Sequence, residues 1–495
     1  MKKLVILAVA LAAATMLAQV SAVSELQLEW AFNTSDVFEA TGFGAGHQSG
    51  NIIWDIDDDG VNEIVFGTRR GHSARIWCIS QSGEFEWIYP PMDQEGLIGD
   101  PWGMSLVDVD GDGAEEICSA GRNGRLRVLY GDGTECWIWD NPTGANMLGP
   151  PQAYDVDEDG HPEFFMSDND GYIYKLNHEG ELVWTSFQAL KAKHTTIADI
   201  DRDGIAEVLF ASTDNNLYCI SSDTGSEEWR FNAGASMGGS AQCVMDVNKD
   251  GEYEAIIWTD APTSAVIVVS FFGTELGRWT EPYGSNIRLN PAIGDVDHDG
   301  NMDMALMSGS AIYVIDLVKL ETKWEKNVTE WSLQGLLPDG AVANHWGDYP
   351  VIADIDGDQE LEVLWVAPFP IVTDAATGEL EAYYLNEHVA VNRRAENGGS
   401  WADVDQDGVS EWVVELNGNT HSETQVYCLT MGGAFPAEAT WPEYEHCAYP
   451  GEYQAQQDWL TLKGAYSKGC WFKMPEILVP SIAVLLFIGL LKRRD

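Results

Sequence analysis

The stretch Asp55-Ile56-Asp57-Asp58-Asp59-Gly60-Val61-Asn62-Glu63 decides the reading of this chain. Carboxylates stand at positions 1, 3, 5 and 9 of the nonapeptide, and glycine stands at position 6. The same frame returns at Asp108, Asp155, Asp199, Asp246, Asp295, Asp354 and Asp403, making eight copies. Like charges crowded in one tight turn repel unless a hard cation sits among the oxygens. Alternate residues of such a turn converge, so positions 1, 3 and 5 can point inward together. Glycine at position 6 permits a positive φ and a sharp bend. Position 7 can offer a backbone carbonyl, and the acid at position 9 folds back from the following strand. Calcium takes six to eight oxygens from such groups, whereas magnesium prefers to keep several waters. The pattern therefore predicts Ca2+ in each turn, up to eight ions in all.

The expected ligands are Asp55, Asp57, Asp59 and Glu63 in the first turn, and Asp108, Asp110, Asp112 and Glu116 in the second. They continue as Asp155, Asp157, Asp159 and Glu163, then Asp199, Asp201, Asp203 and Glu207. The fifth turn supplies Asp246, Asn248, Asp250 and Glu254, and the sixth Asp295, Asp297, Asp299 and Asp303. The seventh supplies Asp354, Asp356, Asp358 and Glu362, and the eighth Asp403, Asp405, Asp407 and Glu411. Asn248 lowers the charge but keeps an oxygen, Asp303 replaces glutamate, and Gln359 takes the glycine position of the seventh turn. That last departure predicts the weakest or most distorted site there.

Successive turns lie 53, 47, 44, 47, 49, 59 and 49 residues apart. In each unit a short apolar strand enters the turn and a second leaves it, as in Glu63-Ile64-Val65-Phe66 and Glu207-Val208-Leu209-Phe210. A third follows a Gly or Asn signal, and a fourth joins a glycine turn to a tryptophan, as in Gly83 to Trp87, Gly133 to Trp137, Gly180 to Trp184 and Gly225 to Trp229. Four short strands at this period make one propeller blade. The fold class is all-β, an eight-bladed β-propeller with a calcium loop in each blade; the alternative is seven blades plus an irregular unit at the long Asp295–Asp354 interval. Leu28–Phe32 reads as a fourth strand that no blade precedes. It would complete an eighth blade whose other strands lie near Ser400–Asp403, Glu411–Glu415 and Val426–Leu429, removing the exposed sheet edge.

The turns resemble those of FG-GAP/VCBS-type calcium propellers, a group that includes the integrin α-subunit head. The outer strands, such as Asp223-Thr224-Gly225-Ser226-Glu227-Glu228-Trp229, are similar to the tryptophan-docking repeats of quinoprotein dehydrogenases. Trp441-Pro442-Glu443-Tyr444-Glu445-His446 resembles a stretch that closes many exported proteins of this type. The resemblance covers Gln27 to Tyr453 and implies a calcium-braced propeller.

The 495 residues carry 27 basic and 79 acidic side chains, a formal charge of −52, with 45% hydrophobic residues. The hydrophobic content excludes a disordered acidic tail. Eight divalent ions would leave a strongly anionic molecule, which excludes charge-driven binding to nucleic acid or to an anionic membrane surface. Residues 1–22 read as a signal peptide: Lys2 and Lys3, an apolar run over Leu4–Leu17, and Val20-Ser21-Ala22 as the cleavage site. The propeller then spans 23–453, followed by a stalk at 454–473 and a transmembrane anchor or sorting signal at 474–495. Ile477–Leu491 is apolar and precedes Lys492-Arg493-Arg494, so the basic end stays cytoplasmic and the membrane is met only through this helix. Met474-Pro475-Glu476 with the helix and basic tail resembles exosortase- and archaeosortase-type sorting signals. The location implied is extracellular, anchored to the cell surface by the C-terminus. Cys78, Cys219 and Cys428 share one repeat position and are expected as buried thiols, with Cys447 and Cys470 the candidate disulfide. Asn33 and Asn327 fit the N-glycosylation pattern.

Propellers bind where the inter-blade connections meet around the axis. The connections before the inner strands offer His47, Trp102, Lys193, His194, Arg288, His345, Arg393 and Arg394, a set suited to an acidic sugar or peptide carboxylate. No Gly-x-Ser-x-Gly, His-Glu-x-x-His or phosphate-loop pattern is present. The expected function is a surface adhesion, recognition or scaffold module for a protein or glycan. The alternative is a calcium-dependent polysaccharide-active enzyme, lyase-like, with a base such as His194 or Lys193 beside an ion at the axis. A quinoprotein dehydrogenase ranks last, because the adjacent cysteines common in that family's cofactor site are missing.

Overall fold

A computed structural model describes residues 24–37, 51–68, 74–91, 101–187, 191–237, 242–287, 291–327, 350–384, 399–417 and 424–431, less a few isolated positions, together with Trp331. The signal segment, the stalk, the C-terminal apolar run, the Trp441–His446 stretch and the Cys447–Cys470 pair lie outside the described residues. Among the described residues no helix is long and apolar enough to cross a membrane.

Eight antiparallel meanders of four strands form an eight-bladed propeller. Blade 1 runs Ile52–Trp54, Glu63–Thr68, Arg75–Ser80 and Phe85–Tyr89 from first strand to fourth. The blades that follow begin at Pro101, Gln152, Ala192, Gln242, Ala292, Val351 and Ser400. First strands of neighbouring blades touch one another, which places them around the axis. Second strands are buried on both faces, as in Glu63–Thr68, Glu116–Gly121 and Asp303–Ser308. The fourth strand Glu227–Asn232 alternates between half-buried and exposed residues, as expected of an outer edge.

The core is a set of layers between blades. One layer packs Ile64, Phe66, Trp77 and Ile79 of blade 1 against Val404, Val413, Val426 and Cys428 of blade 8. Cys78, Cys219 and Cys428 are buried free thiols on third strands, as their shared repeat position indicates.

The ring closes as the sequence indicates. Gln27–Asn33 pairs antiparallel with Thr424–Thr430 and so becomes the fourth strand of blade 8. Ser24–Glu25 adds a parallel edge to blade 7. Blades 1 and 8 are also tied through Asn51, whose Nδ2 donates to Val413 O at 2.9 Å and whose carbonyl accepts from Ser400 Oγ at 2.8 Å.

Most junctions share one lock. At six junctions among the described residues the fourth-strand tryptophan of one blade lies against the glycine of the next blade's outer hairpin: Trp30 on Gly83, Trp87 on Gly133, Trp137 on Gly180, Trp184 on Gly225, Trp229 on Gly273 and Trp324 on Gly378. A Cβ at Gly83 would lie 2.7 Å from the Trp30 ring, so the glycine is needed for space as well as for its φ of 78°. The indole N–H groups of Trp87, Trp184 and Trp324 donate to backbone carbonyls across the junction. Between blades 5 and 6 the two halves are exchanged. Gly277 takes the tryptophan place and Leu320, with φ 54°, takes the glycine place. Gly277→Trp alone should overpack this junction and cost on the order of 2 kcal/mol. Adding Leu320→Gly should recover most of that loss, and a chemical-denaturation double-mutant cycle reads the coupling directly.

Candidate metal centres

Each turn is wired by its own backbone. The position-1 carboxylate accepts from the glycine N–H at position 6: Asp55 from Gly60, Asp108 from Gly113, Asp155 from Gly160, Asp199 from Gly204, Asp246 from Gly251, Asp295 from Gly300 and Asp403 from Gly408. The acid at position 5 accepts from the N–H at position 7, as Asp59 does from Val61 and Asp203 from Ile205. The acid at position 9 reaches back to the N–H at position 2 in all eight turns. Ile56 to Glu63 Oε2 is 3.0 Å and Val404 to Glu411 Oε2 is 2.8 Å. Gly60 has open space around a would-be Cβ, so its φ of 91° is what demands glycine there. A second left-handed residue, which the sequence reading did not foresee, stands at position 4: Asp58, Arg202, Lys249, His298 and Gln406.

The expected ligands do come together. One oxygen from each of Asp55, Asp57 and Glu63 lies within 4.8 Å of the others, and the same holds for Asp155, Asp157 and Glu163, for Asp199, Asp201 and Glu207 and for Asp295, Asp297 and Asp303. In blade 2 the convergent set is Asp108, Asp110 and Asp112. Asp199 Oδ1 and Asp403 Oδ1 are buried and have no hydrogen-bond donor. Unpartnered buried carboxylate oxygens aimed among other carboxylates fit a hard cation, and these residues would hold it through charge and oxygen donation. Asn248 keeps its place in the fifth turn, with Oδ1 accepting from Asp250 N at 2.8 Å and Nδ2 donating to Asp250 Oδ2 at 3.0 Å. Gln359 lies outside the described residues.

Burial makes the charged state costly. It pushes Glu116, Glu163 and Glu254 up to about 7, Glu63 and Glu411 up to about 8, Glu362 up to about 9 and Glu207 up to about 10, with neighbouring acids adding to the rise. A further position contributes that the sequence reading missed. The fourth strand of every blade skips one residue in its register with the third, at Glu86, Cys136, Val183, Glu228, Leu276, Lys323, Glu381 and Glu29 in blades 1 to 8. This residue stands beside its own blade's turn. Burial raises Glu86 and the charges of Asp57 and Asp59 raise it further; Glu228 responds likewise to Asp201 and Asp203, and Glu29 to Asp405 and Asp407. Glu381, beside Asp356 and Asp358, is pushed up to about 7. Four blades thus carry a fifth carboxylate. The signal was available as the residue preceding, or aligned before, the docking tryptophan.

The candidate ligand face lies elsewhere. Trp102 is on the first strand of blade 2, Pro101–Val107, and Lys193 and His194 are on the first strand of blade 4, Ala192–Ala198. Both strands have a register shift there, between Pro101 and Gly103 and between Ala192 and Thr195. Bulges re-aim side chains and recur beside functional sites. His194 is buried at 3% exposure. His47, Arg288, His345, Arg393 and Arg394 lie outside the described residues. Because each first strand runs into its acidic turn, these residues sit at the opposite end of the blade from the turns. His194 stands five positions before Asp199, roughly 16 Å of extended strand.

Residues 108–166 match the FG-GAP-like repeat family. That segment contains the second and third acidic turns. The chain is 26% identical over 237 residues to a lambda-carrageenase of Pseudoalteromonas carrageenovora, covering 43% of this chain and 24% of that protein. It therefore spans about a quarter of that relative's length. Among solved structures it is similar to the quinohemoprotein alcohol dehydrogenase of Comamonas testosteroni, at 12% identity and a TM-score of 0.53, over 84% of this chain and 78% of the other. Sqt1 of Saccharomyces cerevisiae superposes with a TM-score of 0.53 at 11% identity, over 82% of this chain and 99% of that one. Both show the propeller fold alone.

The raised carboxyls set a pH dependence. Their folded values lie above the ordinary value of 4.5, so the stability they contribute is full below that value and is lost as pH rises through about 7 to 10. Without divalent ions the protein should melt at a lower temperature at pH 8 than at pH 5.5. Calcium, replacing protons among the oxygens, should raise the melting temperature more at pH 8 than at pH 5.5. Calorimetry in chelator and in calcium at both pH values checks the sign, and a melt indifferent to calcium at pH 8 would contradict the metal assignment.

Proposed function

We propose that this chain is a calcium-braced propeller that recognises a polysaccharide at the face opposite its acidic turns. The observation that carries the reading is the match to lambda-carrageenase, which extends over 237 residues. The ions are structural in this reading, holding the first and second strands of each blade together. Trp102 and Lys193, at bulges entering the first strands of blades 2 and 4, are the residue types that would give a sugar a stacking and a hydrogen-bonding group. The molecule is exported and carried at the cell surface, in keeping with the apolar segments at Leu4–Leu17 and Ile477–Leu491.

A calcium-dependent lyase would place its base beside an ion. The strand length between His194 and the Asp199 turn argues against that within blade 4, and supports recognition over turnover. The test is a retention assay of the full chain in calcium against a panel of soluble polysaccharides, with new sugar ends measured in the same samples. Retention without new ends is expected, and Trp102→Ala should weaken it about tenfold, the effect of losing one good stacking contact of roughly 1.4 kcal/mol, with an unchanged melt. New ends would establish the enzyme instead. No retention of any polysaccharide would turn the search to a protein partner.

A further inference from the structure

The sixth turn differs from the other seven in two places that meet in space. Its position 9 is aspartate, Asp303, where every other turn has glutamate. The residue skipped by its fourth strand is Lys323, where the other blades have Glu86, Cys136, Val183, Glu228, Leu276, Glu381 and Glu29. The Lys323 ammonium lies 2.7 Å from Asp303 Oδ2 and 2.8 Å from Asp297 Oδ2. Its side chain is 14% exposed and that of Asp303 is fully buried. Two further ammonium groups reach the remaining acids: Lys319 Nζ is 3.2 Å from Asp299 Oδ2, and Lys249 Nζ from blade 5 is 3.5 Å from Asp295 Oδ2. Each of the four turn carboxylates therefore faces a lysine.

We propose that the sixth turn is closed by the chain's own Lys323 ammonium and takes no calcium ion. The two substitutions explain each other. Aspartate is one methylene shorter than glutamate, which leaves room at position 9 for an ammonium arriving from the fourth strand. The backbone clasp survives, since Val296 N still donates to Asp303 Oδ2 at 3.2 Å. Asp295 Oδ1 and Asp303 Oδ1 remain without donors, but a divalent ion drawn to them would stand within a few ångströms of a buried like charge, which is strongly unfavourable. Blade 6 is thus a permanently braced blade in a ring whose other members respond to calcium, and the residue in the skipped position selects between the two kinds. The inference rests on the calcium reading of the remaining turns.

Calcium bound per full-length chain, measured by equilibrium dialysis and by native mass spectrometry, tests it. Lys323→Glu and the milder Lys323→Gln should each bind one calcium more than the wild type. Glu228→Lys, which carries the same device into blade 4, should bind one fewer. In chelator, Lys323→Gln should melt several degrees below the wild type, and saturating calcium should restore it. Equal stoichiometry in the wild type and both Lys323 variants, with calcium still bound elsewhere, would overturn the inference and leave the other sites standing. No calcium in any of the proteins would overturn the underlying metal reading instead.

Discussion

The hydrogen bond from the backbone N–H at position 2 to the carboxylate at position 9 is the constraint on which the rest depends. It spans the turn between the first two strands of every blade, at 2.8 to 3.2 Å. A carboxylate so fixed is buried at the base of the second strand, the strand that neighbouring blades pack against on both faces. Placing a charge there is costly unless it is neutralised. Proton, metal ion and lysine are three ways of doing so. The chain presents the acidic groups for the first two in most blades and uses the third in blade 6. The fold therefore poses one problem of buried charge, repeated around a ring.

The second constraint acts between blades rather than within them. Among the described residues a tryptophan lies across a glycine at six junctions, and each pairing needs a large residue from one blade and the absence of a Cβ in the next. Neither blade can satisfy this alone. The exchanged pair Gly277 and Leu320 shows that what is conserved across the junction is the combined volume, not the order in which the two blades supply it. The packing is sequential, blade upon blade, so each junction depends on both of its neighbours.

Much of this was legible in the sequence, for identifiable reasons. The acidic turns were legible because the turn and its backbone clasp impose a fixed local spacing, and the position-9 acid is only eight residues from position 1. Ring closure was legible because Leu28–Phe32 matches a fourth strand while lacking a blade ahead of it. The skipped residue was not, because a one-residue shift in register is invisible until the partner strand is known. Glu29, for example, is linked to Asp405 and Asp407 across almost the whole chain. The left-handed position 4 also escaped, since Asp58, Arg202, Lys249, His298 and Gln406 share no side-chain chemistry. The inner face was read only as a group of connections. His194 proves buried, and the bulges at Trp102 and Lys193–His194 are backbone events with no compositional mark.

The way blade 8 is assembled has a mechanical side. Its third and fourth strands come from opposite ends of the chain and run antiparallel, with Gln27 beside Thr430. Chain entering at residue 27 and chain leaving at residue 430 therefore meet at the same end of the pair. A pull between the two would load its hydrogen bonds one after another, as in a zipper, and not all together in shear. The parallel bridge of Ser24 and Glu25 to blade 7, with Leu26 buried beside it, lies just ahead of that point and takes the load first. A pull on the chain ahead of residue 24 therefore has to open the contact with blade 7 before it reaches the seam in blade 8.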